Sequence, residues 1–222
     1  MGQKIAFTSS EEKIATEARD RLIKIYNNCA LEEADVIVAL GGDGFMLQTL
    51  HKTQDLSAPV YGMNRGTVGF LMNAYDEKGL IQRLETSVEE NLNPLKMEAI
   101  TTDGSVKTAL AINEVSLLRA GPQAAKLSIS VDGKTRMSEL ISDGVLLSTP
   151  AGSTAYNYSA NGPILPIGSD VLALTALNAF RPRRWRGALI PKKSSVEVMV
   201  LEPEKRPIIC LLYTSPSPRD RG

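Results

Sequence analysis

The sequence contains only two cysteines and one histidine, so few residues are available for thiol or imidazole chemistry. Cys29 and Cys210 lie far apart in the chain and lack the close spacing of metal ligands. We therefore expect two free thiols in a reducing compartment such as the cytoplasm. His51 has no serine or cysteine partner recognisable in the sequence, so a surface position near a helix end is favoured over a catalytic triad.

The formal net charge is zero, because 25 basic residues balance 25 acidic ones. Such a chain lacks the basic surface that attracts nucleic acids or anionic membranes. No apolar run reaches the length of a membrane span, and the first ten residues lack the apolar core of a signal peptide. Hydrophobic residues make up 43% of the 222, enough for a sizeable core. The composition predicts a cytoplasmic globular protein that binds neither nucleic acid nor membrane.

Strand and helix patterns alternate through the first part of the chain, with apolar runs at 4–7, 35–40 and 58–62. Ser9 or Ser10 is expected to cap the first helix, whose apolar face comprises Ile14, Ala18, Leu22 and Ile25. A later helix is predicted by the spacing of Leu80, Leu84 and Val88. Residues 1–92 are therefore predicted to form a doubly wound α/β domain with a mostly parallel sheet.

The pattern changes to short strands after Asn91-Leu-Asn-Pro94. The predicted strands cover 96–101, 107–118, 125–131, 139–148 and 195–201, and Asp132-Gly133 is typical of a hairpin turn. Residues 93–207 are predicted to form an all-β, sandwich-like domain. Residues 208–222 end without a core pattern and are expected to be a non-native or disordered tail.

A glycine turn, Gly41-Gly42-Asp43-Gly44, stands between a predicted buried strand and a predicted helix. Glycines let an anion approach the backbone, and a helix start offers unpaired N–H groups, so the order favours a phosphate loop. Asp43 would repel phosphate unless it has a task. It could accept the proton of a substrate hydroxyl, or it could hold Mg²⁺ through water.

Asn113 and Glu114 interrupt an apolar strand pattern at adjacent positions. Neighbouring strand residues point to opposite faces, so one of the two should face the interior or a cleft. A solvated sheet edge is the favoured interpretation, because an unpaired buried carboxylate is costly.

A dense run of small and hydroxyl-bearing residues, 149–163, follows the predicted strand at 145–148. Small residues let a flat ligand lie against the backbone, while hydroxyl and amide groups can bond its polar edges. A linker is the alternative, but the run leads straight out of a buried strand into Ile164-Leu165, which favours a binding loop.

With these residues in view, the chain resembles NAD kinases of the bacterial type. The resemblance covers about residues 4–207, in four segments that occur in the family's order: Gly41–Gly44, Gly62–Leu71, Asn113-Glu114, and Asp143-Gly144 running into Ser148–Tyr156. GGDG alone is shared with lipid kinases and phosphofructokinases, whereas the four together are highly specific. Ala151 stands where the family often has threonine or serine. The family also continues past the point where the resemblance ends, which implies a C-terminally truncated chain.

The resemblance implies transfer of the γ-phosphate of ATP, with Mg²⁺ or another divalent metal, to the 2′-hydroxyl of the adenosine ribose of NAD. Asp43 would be the catalytic base, and Gly41, Gly42 and Gly44 would complete the nucleotide loop. Asn113 and Glu114 would bind the adenosine end of NAD. Asp143 and Ala151 would help to place the dinucleotide, with a wall made of Thr154, Ala155, Tyr156, Asn157, Tyr158 and Ser159. No dedicated protein metal site is expected.

The resemblance also implies a homodimer or homotetramer. Two rival functions stay open at this stage. One is a lipid kinase of similar fold, which should have an apolar entrance near the Thr154–Tyr156 segment. The other is a non-catalytic NAD-binding module.

Overall fold

The computed structural model describes residues 3–66 and 70–213, which divide into two compact units. The first unit ends at Glu90 and the second begins at Asn91. In the part of the chain that is described, no helix is long and apolar enough to cross a membrane.

The first unit contains a parallel three-stranded sheet in the order β1-β2-β3, formed by β1 (Ile5–Ser9), β2 (Val36–Gly41) and β3 (Val60–Asn64). Its α-helices are α1 (Lys13–Tyr26), α2 (Asp43–Lys52) and α3 (Leu80–Glu85), and a 3₁₀ turn spans Leu31–Glu33. All six residues of the central strand β2 are buried, which explains its unbroken apolar run.

The start and the buried face of α1 differ from the prediction. Ser9 belongs to β1, so the helix begins at Lys13, and the N-cap residue Glu12 makes no side-chain cap hydrogen bond. The helix buries Ala15, Ala18 and Leu22, whereas Ile14 and Ile25 are 50% and 53% exposed. The predicted face was therefore wrong at both ends. Val88 was likewise misassigned, because it lies beyond α3 and is exposed.

The second unit is built from antiparallel strands. They are β4 (Leu95–Ile100), β5 (Val106–Ala111), β6 (Glu114–Arg119), β7 (Ala125–Val131), β8 (Lys134–Ser142), β9 (Gly144–Ser148), β10 (Val171–Leu177), β11 (Gly187–Pro191), β12 (Val196–Val200) and β13 (Ile208–Tyr213). They form sheets in the orders β11-β10-β9-β6-β13, β12-β7-β8 and β4-β5. A 3₁₀ helix (Ala151–Thr154) and the one-turn helix α4 (Tyr156–Ser159) follow β9.

A hydrophobic core joins the larger two sheets of this unit, with buried residues such as Leu127, Ile129, Leu140, Val145 and Leu174. The predicted hairpin between β7 and β8 is confirmed, and both turn residues, Asp132 and Gly133, have positive φ angles of 51° and 72°. The expected fold class, an α/β N-terminal part followed by a β-rich part, is confirmed.

Several predicted strand limits were wrong. The chain breaks at Ile112-Asn113 and again at Asp143, so two predicted strands each become a pair. Strands β10 and β11 were missed. Residues 208–213 are not a tail, because β13 pairs with β6 along its whole length. Residues 214–222 lie outside the described residues. Both cysteines are free, as predicted.

Candidate active site

The glycine turn lies at the carboxyl end of β2, as predicted. The strand ends at Gly41, Gly42 is the N-cap residue, and Asp43 is the first residue of α2. A Cβ atom on Gly41 would lie 2.8 Å from Cβ of Phe45, whereas one on Gly42 would meet no atom of the described residues within 4 Å. Gly41 therefore serves packing, and Gly42 leaves open space beside the helix start, where an anion could approach the backbone.

Asp43 is fixed by the segment that follows the second glycine-bearing loop. Its Oδ2 accepts a hydrogen bond from the Phe70 amide at 2.8 Å, and its Oδ1 accepts one from the Leu71 amide at 2.9 Å. Two N–H donors and the helix N-terminus stabilise the anionic carboxylate. These hydrogen bonds fix the orientation of the Asp43 carboxylate and explain how a phosphate loop can contain a negative charge.

The loop after β3 lies against the same turn. The Arg65 amide donates to the Gly41 carbonyl at 2.8 Å, and the Gly66 amide donates to Oδ1 of Asn64 at 2.9 Å. Residues 67–69 of this loop lie outside the described residues. The carboxyl ends of β2 and β3 therefore meet at one edge of the sheet, where ligands of parallel α/β sheets bind.

Asn113 and Glu114 are buried, with 4% and 1% of their surfaces exposed. The solvated-edge interpretation was wrong, because β6 lies between β9 and β13 rather than at an edge. Within the described part of the chain, Oδ1 of Asn113 and Oε2 of Glu114 have no hydrogen-bond partner. Burial raises the pKa of the Glu114 carboxyl to about 8. Two neighbouring buried acceptors without partners are costly unless a ligand or water completes them.

The turn after β9 is built around the backbone of Asn113. The Thr149 amide donates to the Asn113 carbonyl at 2.9 Å, and the Thr149 hydroxyl donates to the Ile112 carbonyl at 2.6 Å. Gly152 packs so closely that a Cβ atom would collide with the Asn113 backbone. The structure therefore brings the buried Ala151 and its turn next to Asn113 and Glu114. The sequence analysis did not single out Thr149 or Gly152, although both stand in the run of small residues.

Asn157 was predicted to line the dinucleotide, but its side chain is fully buried and used within the unit. Its Nδ2 donates to the carbonyls of Ser153 (3.1 Å) and Pro163 (2.8 Å), and its Oδ1 accepts the Thr175 hydroxyl at 2.6 Å. Both amide hydrogens are thus occupied. The Asn157 side chain therefore holds the segment together, and its contact with a dinucleotide stays a prediction.

The rest of the predicted wall reaches the surface of the unit. Thr154, Ala155 and Tyr156 are half-buried, whereas Tyr158 and Ser159 are exposed. The Ser153 hydroxyl donates to the Pro150 carbonyl and accepts the Leu165 amide, which anchors the segment from below. A flexible linker would not form this many internal hydrogen bonds, so the structure disfavours the linker interpretation.

Asp143 lies at the other end of β9 from Ser148 and Ala151, about 16 Å away along an extended strand. Its carboxylate accepts Nε of Arg119 at 2.6 Å and Nδ2 of Asn178 at 2.8 Å. Within the second unit, the structure does not bring Asp143 together with Asn113 and Glu114.

A cavity of about 410 Å³ in the second unit is lined by none of the predicted site residues. It is lined mainly by apolar side chains, including Ile129, Met137, Leu174 and Trp185. Nor do the described residues include a group of three or more His, Cys, Asp or Glu side chains that could hold a metal ion. Each unit therefore carries its own candidate feature: the glycine loop in the first unit, and the buried Asn113-Glu114 pair with its turn in the second.

Comparison with known proteins assigns these features to one family. Residues 1–92 match the ATP-NAD kinase N-terminal domain, and residues 112–218 match the ATP-NAD kinase C-terminal domain. A protein named NAD kinase from Cereibacter sphaeroides is 65% identical over 207 residues, which cover 93% of this chain and 82% of that protein. The chain belongs to the ATP-NAD kinase family.

Other members agree with this assignment. An NAD kinase from Caulobacter vibrioides is 57% identical over 205 residues, covering 92% of this chain and 79% of the relative. The crystal structure of an NAD kinase from Archaeoglobus fulgidus in complex with ATP superposes with a TM-score of 0.70 at 25% identity, covering 95% of this chain and 84% of that one. Yeast NADH kinase complexed with NADH shares the fold, with a TM-score of 0.73 at 22% identity over 97% of this chain and 76% of that one.

Proposed function

We propose that this chain is an ATP-dependent NAD kinase, which transfers the γ-phosphate of ATP to the 2′-hydroxyl of the adenosine ribose of NAD and so forms NADP. The observation that carries the proposal is the oriented carboxylate of Asp43 beside the open backbone of Gly42. Membership of the ATP-NAD kinase family and the names of the similar proteins support the choice of substrates.

Asp43 acts as the general base in this proposal. Both of its oxygens accept backbone amides, which fixes the carboxylate plane and leaves a further lone pair on each oxygen for a substrate hydroxyl. Taking the proton as the hydroxyl attacks phosphorus is the role that a positioned carboxylate plays in phosphoryl transfer. Gly41, Gly42 and Gly44 shape the loop, and the amides at the start of α2 face the charge that develops on the phosphoryl oxygens.

Asn113 and Glu114 bind the adenosine end of NAD in this proposal. Their unpartnered buried oxygens can accept hydrogen bonds from amino or hydroxyl groups of a nucleoside. A protonated Glu114, with its raised pKa, can also donate one. Thr154, Ala155, Tyr156, Tyr158 and Ser159 supply the adjoining surface, and Ala151 and Asp143 help to place the dinucleotide in this proposal.

Mg²⁺ or another divalent metal fits this chain as a partner of ATP. The first unit offers one carboxylate at the loop, Asp43, and Mg²⁺ typically binds one or two carboxylates together with substrate phosphates and water. When bound, the ion neutralises charge on the triphosphate. We further propose that the enzyme works in the cytoplasm as a homodimer or homotetramer, as expected for the family.

The decisive experiment supplies the purified chain with NAD and MgATP and follows NADP by chromatography, beside calorimetric measurement of NAD binding. Formation of NADP is the expected result. Binding of NAD without product would favour a non-catalytic module instead. Phosphorylation of a lipid or a sugar without NADP would favour the lipid kinase or another phosphotransferase.

A further inference from the structure

The carboxyl edge of the parallel sheet carries a guanidinium group beside the glycine turn. Ser9 pairs with Leu40 and Gly41 pairs with Asn64, so the ends of the three strands lie side by side. Arg65 follows β3 directly, and its amide donates to the Gly41 carbonyl at 2.8 Å. Its side chain therefore starts within one hydrogen bond of the turn that opens α2.

A tyrosine ring holds the Arg65 side chain. Cζ of Arg65 lies 4.2 Å from the centroid of the Tyr75 ring, a distance typical of cation–π stacking. The Tyr75 hydroxyl donates to Oε1 of Glu77 at 3.0 Å, and the same oxygen accepts Nε of Arg21 at 2.7 Å. The ring is thus fixed from its far end, which pre-orients a side chain that otherwise loses much rotamer freedom on binding.

Apart from its stacking on Tyr75, the charge of Arg65 has no partner among the described residues. Its Nε atom is buried without a hydrogen-bond partner, and no ion pair there joins Arg65 to an acidic residue. The carboxylate that accepts the Tyr75 hydroxyl, that of Glu77, is already paired with Arg21. An arginine held in one orientation without a counter-ion is suited to an anionic ligand, because its planar donors match phosphate oxygens.

Other donors without partners lie at the same edge. The hydroxyl oxygens of Ser9 and Ser10, at the end of β1, are buried without hydrogen-bond partners among the described residues. The Ser10 amide donates to the Leu40 carbonyl at 2.9 Å, which keeps Ser10 in line with Gly41. Glu11 and Glu12, which follow, are exposed. The end of β1 therefore adds two hydroxyl groups without partners to the edge at which β2 leads into the glycine turn.

We propose that Arg65, stacked on Tyr75, positions the phosphate groups of the donor nucleotide at the glycine turn. This inference builds on the proposed kinase function and names a residue for its donor side. Arg65 provides a fixed positive charge for a triphosphate, a role that the negatively charged Asp43 on the same turn cannot fill. The chemical class of ligand is a triphosphate chain, so inorganic tripolyphosphate should bind to the same group.

The test compares Arg65→Met, which keeps the apolar stem and removes the charge, with Arg65→Lys and with the control Arg19→Met. Arg19 pairs with the exposed Asp20 on α1 of the same unit, so its loss removes a charge of the same kind elsewhere. Calorimetry with tripolyphosphate alone measures binding without requiring turnover. Steady-state kinetics then gives KM for MgATP and for NAD separately.

Arg65→Met should weaken tripolyphosphate binding and raise KM for MgATP by tenfold or more, with KM for NAD within twofold of the wild type. Arg65→Lys should recover part of the loss, and Arg19→Met should match the wild type. Equal tripolyphosphate affinity in Arg65→Met and the wild type would overturn the inference, as would equal changes in both KM values, which indicate a structural role.

The kinase proposal can fail separately. A wild type that binds tripolyphosphate through Arg65 but forms no NADP would contradict only the kinase function. A wild type that forms NADP, with variants that bind tripolyphosphate unchanged, would contradict only the role of Arg65. If Arg65→Met does not fold, as judged by circular dichroism, the comparison of Arg65→Lys with Arg19→Met decides, because lysine lacks the planar donor fork.

Discussion

The two glycine turns of this protein follow buried strands, yet they use glycine in opposite ways. At the end of β2, a Cβ atom on Gly42 would meet none of the described residues, so a ligand could approach the backbone there. After β9, Gly152 presses against the backbone of Asn113, so that the missing side chain allows two chain segments to meet. A glycine next to a functional motif can thus provide access or contact, and only its surroundings distinguish the two.

The two candidate carboxylates, Asp43 and Glu114, also differ in their surroundings. Asp43 is half-buried, and each oxygen accepts a backbone amide. Glu114 is fully buried, and one oxygen has no partner within the described residues. One environment stabilises the charge that a general base needs, whereas the other favours a neutral carboxyl group, reflected in the raised pKa of Glu114.

The largest expected effect comes from Asp43→Asn. Loss of a general base should lower kcat by about 10² to 10⁴, while the Kd for NAD changes little because the NAD-binding groups are assigned to other residues. Asparagine keeps one oxygen for the Phe70 or Leu71 amide, so the fold should persist. Quenched-flow or steady-state kinetics beside calorimetry measures both quantities, with exposed Asp55→Asn as the control. A kcat within threefold of the wild type would contradict the role of Asp43 as general base.

Gly152→Ala and Gly42→Ala separate contact from access. The first variant forces a Cβ atom into the Asn113 backbone and should lower the free energy of unfolding by more than about 4 kcal/mol, at the upper end of single-substitution effects. The second meets open space, so unfolding should change by less than about 1 kcal/mol while KM for MgATP rises. Urea titration and kinetics together test the pair. Equal destabilisation of the two variants would contradict the distinction between the turns.

Glu114→Gln tests the second carboxylate through pH. The pKa of Glu114 is about 8 in the folded protein and near 4.5 in the unfolded chain, so the folded state binds the extra proton between these values. Wild-type stability therefore falls as pH rises from 5 to 8, by roughly 2 to 4 kcal/mol at about 1.4 kcal/mol per pKa unit. The glutamine variant should lose this slope. Exposed Glu98→Gln serves as the control, and an unchanged slope in Glu114→Gln would assign the pH dependence elsewhere.

Asn157→Ala is expected to have a smaller effect than Asp43→Asn, Gly152→Ala or Glu114→Gln. It removes three hydrogen bonds and leaves the buried Thr175 hydroxyl unpaired, which should cost about 2 kcal/mol of stability. For a chain of this size that corresponds to a Tm lower by about 4 to 8 °C. Calorimetric melting compares it with Tyr158→Phe on the exposed side of α4. An unchanged Tm with weakened NAD binding would indicate that Asn157 contacts the ligand and contributes little to stability.

Most of the first unit could be predicted from the sequence because local signals agree there. The continuous apolar run of β2, the glycine turn and the helical spacing after it point to the same strand, turn and helix, and all three are observed. The cap and the face of α1 could not be predicted in this way. Ser9 has cap chemistry, but its pairing with Leu40 keeps it in the sheet.

The second unit shows where sequence patterns stop being informative. The run from 107 to 118 looks like one strand, and only the sheets show that it changes partner at Ile112-Asn113. Strand β13 was assigned to the tail because a short apolar run does not by itself predict a strand. It becomes a strand through its pairing with β6, which is distant in the chain. Pairing over such sequence distances depends on the whole fold.

The sequence alone determined the family, the order of the motifs and the place of Asp43 at a strand-to-helix turn, because these depend on neighbouring residues. Only the tertiary structure decided that Asn113 and Glu114 are buried, that the Asn157 side chain is hydrogen-bonded within the second unit and that Asp143 lies at the far end of β9. The physical reason is that burial and hydrogen-bond partners come from segments distant in the chain, and those contacts set the charge and availability of each side chain.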